Sequence, residues 1–279
     1  MEIIILSDNT PHPMNPALQA EHGLSFFIRT NDGRHILCDM GKGNLFWKNA
    51  EQLQIDIKQC NWAFISHAHN DHGGGLRYFL ENTADTPVYL SAETFKEEHY
   101  SHRHGNQSRN ISIDRSLETV YADRLYPLAG SCWLTPQIAV VHNKCHQFKK
   151  PFGNNFLTSR LPEGKEEADN FSHELSLAIL TEKGLVIIAP CSHQGAANII
   201  HSCQSFTGME RVYAYIGGLH FVDENQADEE VATLKNSLQK IAPSMKVYTG
   251  HCTCDAAKNC LIKQWKNTQI FHVGSTLQL

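Results

Sequence analysis

Between residues 62 and 75 the chain reads WAFISHAHNDHGGG, and no other stretch limits the fold so strongly. A run of apolar, strand-forming residues is followed by His67, His69, Asp71 and His72 within six positions, then by Gly73, Gly74 and Gly75 and a helical pattern over 74–82. In extended backbone alternate residues point to one side, so His67 and His69 present their imidazoles together. Asp71 and His72 fall in the turn, where three glycines let the backbone pass tightly. Such a knot suits a borderline cation such as zinc, which takes imidazole nitrogen and carboxylate oxygen at about 2.0–2.2 Å. The spacing serves two ions side by side. A merely polar turn, or histidines capping the next helix, does not call for four ligand-type residues at one strand-to-helix junction.

The rest of the chain supplies the frame for that turn. Short apolar runs bounded by turn residues occur at 3–6, 25–30, 35–40, 62–67, 88–92 and 138–141, and again at 175–180, 185–190, 212–218, 246–251 and 270–274. The TEKG between 180 and 185 reads as a hairpin turn. Helical patterns lie at 195–205, 226–241 and 255–266. The second of these carries Val231, Leu234, Leu238 and Ile241 on one face and needs only a packing role. Hairpins mixed with strand–helix units predict an α/β sandwich with mixed sheets. No low-complexity linker divides the 279 residues, so a single domain over 1–279 is expected. Two long polar segments, 96–118 and 142–172, fit neither pattern, and loops of that length are functional or disordered. The second holds Lys144, Lys149, Lys150 and Arg160, which would suit a phosphorylated substrate. His99, His102 and His104 in the first are expected on a solvated surface.

Composition narrows the chemistry. A formal net charge of −5 gives no long-range attraction to nucleic acid or to an anionic membrane, so neither is an expected partner. The opening MEIIILSDNT, with an acidic second residue and an apolar run of four, reads as a strand and not as a signal peptide. No stretch reaches the roughly 18–20 apolar residues needed to cross a bilayer, and a cytoplasmic location is expected. Nine cysteines at irregular spacings, in a chain too large to need disulfide staples, indicate reduced thiols or metal ligands. Seventeen histidines direct attention to metal chemistry.

SHAHNDHGGG resembles the His-x-His-x-Asp-His signature of the metallo-β-lactamase superfamily, and further landmarks follow in order: Asp39 in LCDMGKG, Cys191 and His193 in APCSH, and His251 in YTGH. LSDNTP at 6–11, EHGLSFFI at 21–28, APCSHQGAANII at 189–200, GGLHF at 217–221 and TGHCT at 249–253 are similar to the family of the dihydropterin ribofuranosylaminobenzene phosphate synthase. The resemblance implies a four-layer αβ/βα sandwich with a metal site at the edge where two sheets meet. It implies His67, His69, Asp71, His72, Cys191, His193 and His251 as ligands, with Asp39 supporting them. His173, 18 residues before Cys191, competes with His193 for the third position at the first metal. Cys191 stands where the superfamily has a bridging aspartate; a thiolate there biases the site toward zinc over iron or manganese, whereas a small buried cysteine would only pack. His220, after Gly217 and Gly218, is expected to bind a substrate phosphate or carboxylate.

The implied activity is that of a metal-dependent hydrolase with one or two zinc ions, iron and manganese being the alternatives. Hydroxide activated between the metals would attack a small, anionic phosphorylated or ester-like metabolite, with Asp71 orienting the nucleophile. Condensation of a pterin with an aminobenzene ribosyl phosphate is the second reading, and a non-catalytic metal-binding module the third. Cys252, Cys254 and Cys260 carry no ligand spacing.

Overall fold

The computed structural model describes residues 1–103 and 108–279. The chain divides into two compact units, Met1–Ala129 with Leu157–His173 and Phe271–Leu279, and Gly130–Phe156 with Glu174–Ile270. Each contains one seven-stranded mixed sheet, in agreement with the expected α/β class.

In the first unit the strands run, from one edge to the other, Thr276–Gln278, Glu2–Ser7, Ser25–Arg29, His35–Cys38, Trp62–Phe64, Val88–Ser91 and Leu125–Leu128. The first three pairings are antiparallel and the last three parallel. Parallel neighbours need crossovers, and helices Leu45–Gln52 and Leu76–Asn82 supply two of them. A strand flanked by parallel neighbours is covered on both faces, which is why Trp62, Ala63 and Phe64 are apolar without alternation and all buried. Phe27, Leu37, Met40, Phe46, Leu76 and Phe79 form the centre of this core. Fully burying each such side chain contributes about 1.5–3 kcal/mol. The parallel register of Cys38 with Phe64 carries the site: both strands end at the same edge, so Asp39 emerges beside Ser66 and His67.

The two polar segments are not loops throughout. Glu166–Ala168, Leu157–Arg160, Glu98–Ser101 and Arg109–Asn110 form a four-stranded antiparallel sheet in this unit. Its strands have two to four residues; Glu98–Ser101 and Leu157–Arg160 hide only alternate positions, and Arg109–Asn110 and Glu166–Ala168 are exposed throughout, so no apolar run announces them. His99 lies on the hidden side, 1 % exposed, contrary to the solvated position expected for it. His102 pairs with Glu166, and His104 lies outside the described residues.

In the second unit the order is Thr268–Ile270, Lys246–Thr249, Val212–Ile216, Gly184–Ile188, Leu175–Thr181, Ile138–His142 and Cys132–Trp133. Here the first three pairings are parallel and the rest antiparallel. The expected hairpin joins Leu175–Thr181 to Gly184–Ile188. Helices Ala196–Thr207, Ala227–Ile241 and Asp255–Gln264 supply Ile200, Cys203, Val231, Leu238 and Leu261 to a core with Ile187 and Tyr215. The strand expected at 270–274 is not formed beyond its first residue: pairing stops at Ile270, and Gly274, at φ +78, turns the chain into the edge strand Thr276–Gln278 of the first unit. Among the described residues no helix is long and apolar enough to cross a membrane.

Candidate metal centre

The first unit builds its histidine knot around Asp39. That residue adopts φ +59, a left-handed conformation that costs a non-glycine residue on the order of 1–3 kcal/mol and marks a backbone held by its surroundings. Oδ1 accepts the Ser66 backbone N–H at 2.7 Å, and Oδ2 accepts the Ser66 hydroxyl at 2.7 Å. The same Oδ2 lies 2.7 Å from His72 Nδ1, and Ser66 Oγ lies 2.8 Å from His67 Nδ1. Asp39, Ser66, His67 and His72 are each at most 1 % exposed.

These contacts fix proton positions. A carboxylate only accepts, so His72 carries its proton on Nδ1. Ser66 has one hydroxyl proton and donates it to Asp39, so Oγ accepts from His67 Nδ1–H. With the proton on Nδ1, the neutral form of each imidazole keeps its lone pair on Nε2, the form in which histidine binds a metal. Asp71, 17 % exposed at its side chain, has Oδ2 at 3.9 Å from His72 Nε2 and 3.3 Å from His22 Nε2. Gly74 and Gly75 are required by close approach to backbone, whereas Gly73 faces only a side chain. A Cβ at Gly74 would meet the Asn70 carbonyl at 2.3 Å, one at Gly75 the Met40 carbonyl at 2.3 Å, and one at Gly73 the Ile113 side chain at 2.1 Å.

Behind His69 lies a second carboxylate. Asp169 Oδ2 is 2.8 Å from His99 Nδ1, 3.3 Å from His173 Nε2 and 3.8 Å from His69 Nε2. Burial raises the Asp169 carboxyl, but the imidazoles around it outweigh burial and hold it well below the usual carboxylate range. Burial lowers His69 to about 4, against the opposing pull of Asp169, so His69 is neutral near pH 7. His173 is lowered in the same direction by burial. These four residues stand close enough to enclose an ion. Proton placement argues against it: the Ala68 backbone N–H donates to His173 Nδ1 at 3.1 Å, so the His173 proton sits on Nε2, facing Asp169. His173 is thus engaged through both nitrogens.

The second unit presents the residues of APCSH, GGLHF and TGHCT on turns. Ser192, His220 and His251 have φ of +61, +53 and +46; with Asp39 they make four of the six left-handed non-glycine residues among those described. Buried Glu174 receives the backbone N–H of His193 on Oε1 and of Gln194 on Oε2, each at 2.7 Å, and burial raises its carboxyl to about 7. Asn154 clamps His193 from the other side, donating to its carbonyl at 2.7 Å and placing Oδ1 3.2 Å from Nδ1. That arrangement again leaves Nε2 as the acceptor nitrogen. Cys191 Sγ lies 3.2 Å from Cys252 Sγ and 3.6 Å from His220 Nδ1.

Asp169, Glu174, Asn154, His22 and Cys252 were not among the expected site residues. Cys252, in TGHCT, His22, in EHGLSFFI, and Asn154 and Asp169, in the polar segment 142–172, sit in stretches with a signal that could have drawn attention to them. Two of the four cations expected to favour a phosphate are committed elsewhere: Lys149 pairs with Glu229 at 2.6 Å and Arg160 with Glu98 at 2.7 Å.

Buried neutral imidazoles with oriented lone pairs, a carboxylate and thiols form a donor set that fits a borderline d-block cation. Residues 18–140 match the family described as Metallo-beta-lactamase superfamily. The chain is 30 % identical to the 7,8-dihydropterin-6-methyl-4-(beta-D-ribofuranosyl)-aminobenzene-5'-phosphate synthase of Methanocaldococcus jannaschii, over 95 % of this chain and 92 % of that protein. Among solved structures, Tm1679, described as a metal-dependent hydrolase of the beta-lactamase superfamily, aligns with a TM-score of 0.83 and 25 % identity over all of this chain and 99 % of that one. Zn²⁺-bound PqqB from Methylobacterium extorquens shares the fold, with a TM-score of 0.55 and 12 % identity over the whole of both chains. Identity of this degree along nearly the full length of both proteins places the chain in the metallo-β-lactamase superfamily.

Proposed function

We propose that this chain is a metal-dependent enzyme that activates water against a small anionic metabolite, a phosphorylated or ester-like compound, and that zinc is its metal. The observation that carries the reading is the pair of imidazoles whose protons Asp39 and Ser66 hold on Nδ1, leaving Nε2 of His67 and His72 free of protons. His67, His69, Asp71 and His72 are the proposed ligands from the first unit. Motif order adds Cys191, His193 and His251, and the Asn154 clamp on His193 together with the full engagement of His173 supports His193 as the third ligand of the first ion. When bound, zinc supplies Lewis acidity and lowers the pKa of water.

The chain's own residues do the remaining work. Asp39 keeps His67 and His72 in one tautomer without reorganisation during a catalytic cycle. Asp71, partly exposed beside His72, orients the attacking nucleophile. His69 stays neutral beside Asp169 because burial outweighs the charge.

A second reading, condensation in place of hydrolysis, is favoured by one observation: the M. jannaschii relative is named as a synthase. The test is elemental analysis of chelator-free protein followed by a screen of lactones, phosphodiesters and phosphorylated metabolites, with and without an aminobenzene acceptor. Zinc together with turnover of a single ester or phosphoester supports hydrolysis. Product formed only with the acceptor selects the synthase reading, and protein without any transition metal after purification overturns both.

A further inference from the structure

The second unit holds three soft donors that the proposed ligand set does not explain together. Cys191, Cys252 and His220 are 4 %, 7 % and 5 % exposed, and their ligand atoms all lie within 4.8 Å of one another. The His220 backbone N–H points at Cys252 Sγ at 3.3 Å, while the ring turns Nδ1 toward Cys191 Sγ at 3.6 Å. For a tetrahedral zinc with bonds of about 2.3 Å to sulfur and 2.05 Å to nitrogen, the sulfur–nitrogen edge is about 3.6 Å. The two sulfurs, 3.2 Å apart, would open toward the corresponding edge of about 3.8 Å.

The backbone is shaped to make this cluster. Gly217 sits at φ +145, and a Cβ there would come within 2.0 Å of the Ala189 carbonyl; a Cβ at Gly218 would come within 2.3 Å of Cys252 Sγ. A side chain at 217 or 218 would force a shift in the turn that carries His220. His220 itself holds φ +53, and its Nε2 is buried with no hydrogen-bond partner among the described residues. The left-handed backbone costs free energy that an ion held on Nδ1 would repay, while Nε2, on the far side of the ring, is left to a water or to a substrate group. Charge balance agrees: binding a divalent cation releases both thiol protons, and the two resulting thiolates neutralise its charge.

We propose that Cys191, Cys252 and His220 Nδ1 form a soft-donor site for a thiophilic divalent cation, zinc above all, with a fourth position left for water or an anionic ligand. His220, expected to touch substrate, is assigned to the ion instead. Cys191 is shared with the ligand set proposed above, so the test is read on Cys252 and His220, and it stands or falls independently of the histidine knot.

The full chain, stripped with a chelator and reloaded with Co²⁺, is expected to show a near-ultraviolet thiolate-to-cobalt charge-transfer band of two-sulfur intensity. Cys252→Ala should cut that band to about half, and His220→Ala should weaken cobalt affinity at least tenfold with the sulfur band intact at saturation. His72→Ala should leave the band unchanged while lowering total metal, which separates this proposal from the knot. An unaltered band in Cys252→Ala, or a His220→Ala chain with wild-type cobalt affinity and an altered substrate KM only, would overturn the assignment. X-ray absorption of the wild-type zinc-loaded chain needs no variant to fold: two sulfurs per chain at about 2.3 Å are expected, and one or none refutes the site. A denatured chain purified without reductant that titrates seven thiols, against the nine cysteines of the sequence, would show the pair to be a disulfide and also overturn it.

Discussion

The two units hold their candidate ligands by different means. In the first, an anion does the holding: Asp39 accepts from Ser66 twice and from His72 once, and the imidazoles follow from where those protons go. In the second, the backbone does most of it: His220, His251 and Ser192, which precedes His193, stand on left-handed residues, glycines at 217 and 218 admit contacts that a Cβ would block, and His193 alone is also held by side chains, Asn154 and Glu174. A hydrogen-bonded anchor sets the tautomer, whereas the strained turns at His220 and His251 set position and leave the tautomer open. The difference teaches that the two halves should fail differently under mutation.

The largest effect is expected at Asp71. Asp71→Asn keeps volume but removes the charge beside His72 and His22, and turnover on whichever substrate the screen identifies should fall a hundredfold or more, with circular dichroism unchanged. Wild-type turnover would remove Asp71 from catalysis. Next comes Asp39→Asn, which offers an amide where three donors converge. Zinc affinity should drop by about 10- to 100-fold, measured by competition with a chromophoric chelator. Asn154→Ala removes the clamp on a single histidine and should cost about tenfold in the same assay, at the low end of that range. If Asn154→Ala costs more than Asp39→Asn, the contrast between the anchored and the strained half is wrong.

The smallest effect concerns pH. Glu230 receives the Phe152 backbone N–H on Oε1 at 2.7 Å, while burial raises its carboxyl above the ordinary glutamate value. A carboxyl raised in the folded state binds more protons there than in the unfolded chain. Its contribution is therefore most favourable below the unfolded pKa of about 4.3 and is lost as pH rises through the raised folded value. Glu230→Gln should raise the melting temperature at pH 7 by about one to three degrees and change it little at pH 4. Equal shifts at both pH values would exclude the titration as the cause.

Particular residues show how far the chain could be read without its fold. Trp62–Phe64 and the histidines after it were legible because a parallel strand buried on both faces is a continuous apolar run and the candidate ligands after it fall within six positions. The four-stranded sheet was not, because Glu98–Ser101 and Leu157–Arg160 pair across nearly sixty residues and hide only alternate side chains. His99 was misplaced for the same reason: its partner Asp169 is 70 positions away in a segment with no periodicity.

The amino-acid order by itself determined the mixed α/β class and the local ligand knot, since hydrophobic periodicity and i, i+2 spacing are local quantities that backbone geometry converts directly into faces and turns. Only the tertiary structure decided which nitrogen of His67, His72 and His193 carries the proton, that His173 is engaged by Ala68 and Asp169, and that Cys252 and His220 meet Cys191. Those outcomes depend on donors and acceptors from distant segments meeting within hydrogen-bond reach, where burial makes each unsatisfied group costly. No local pattern encodes that meeting.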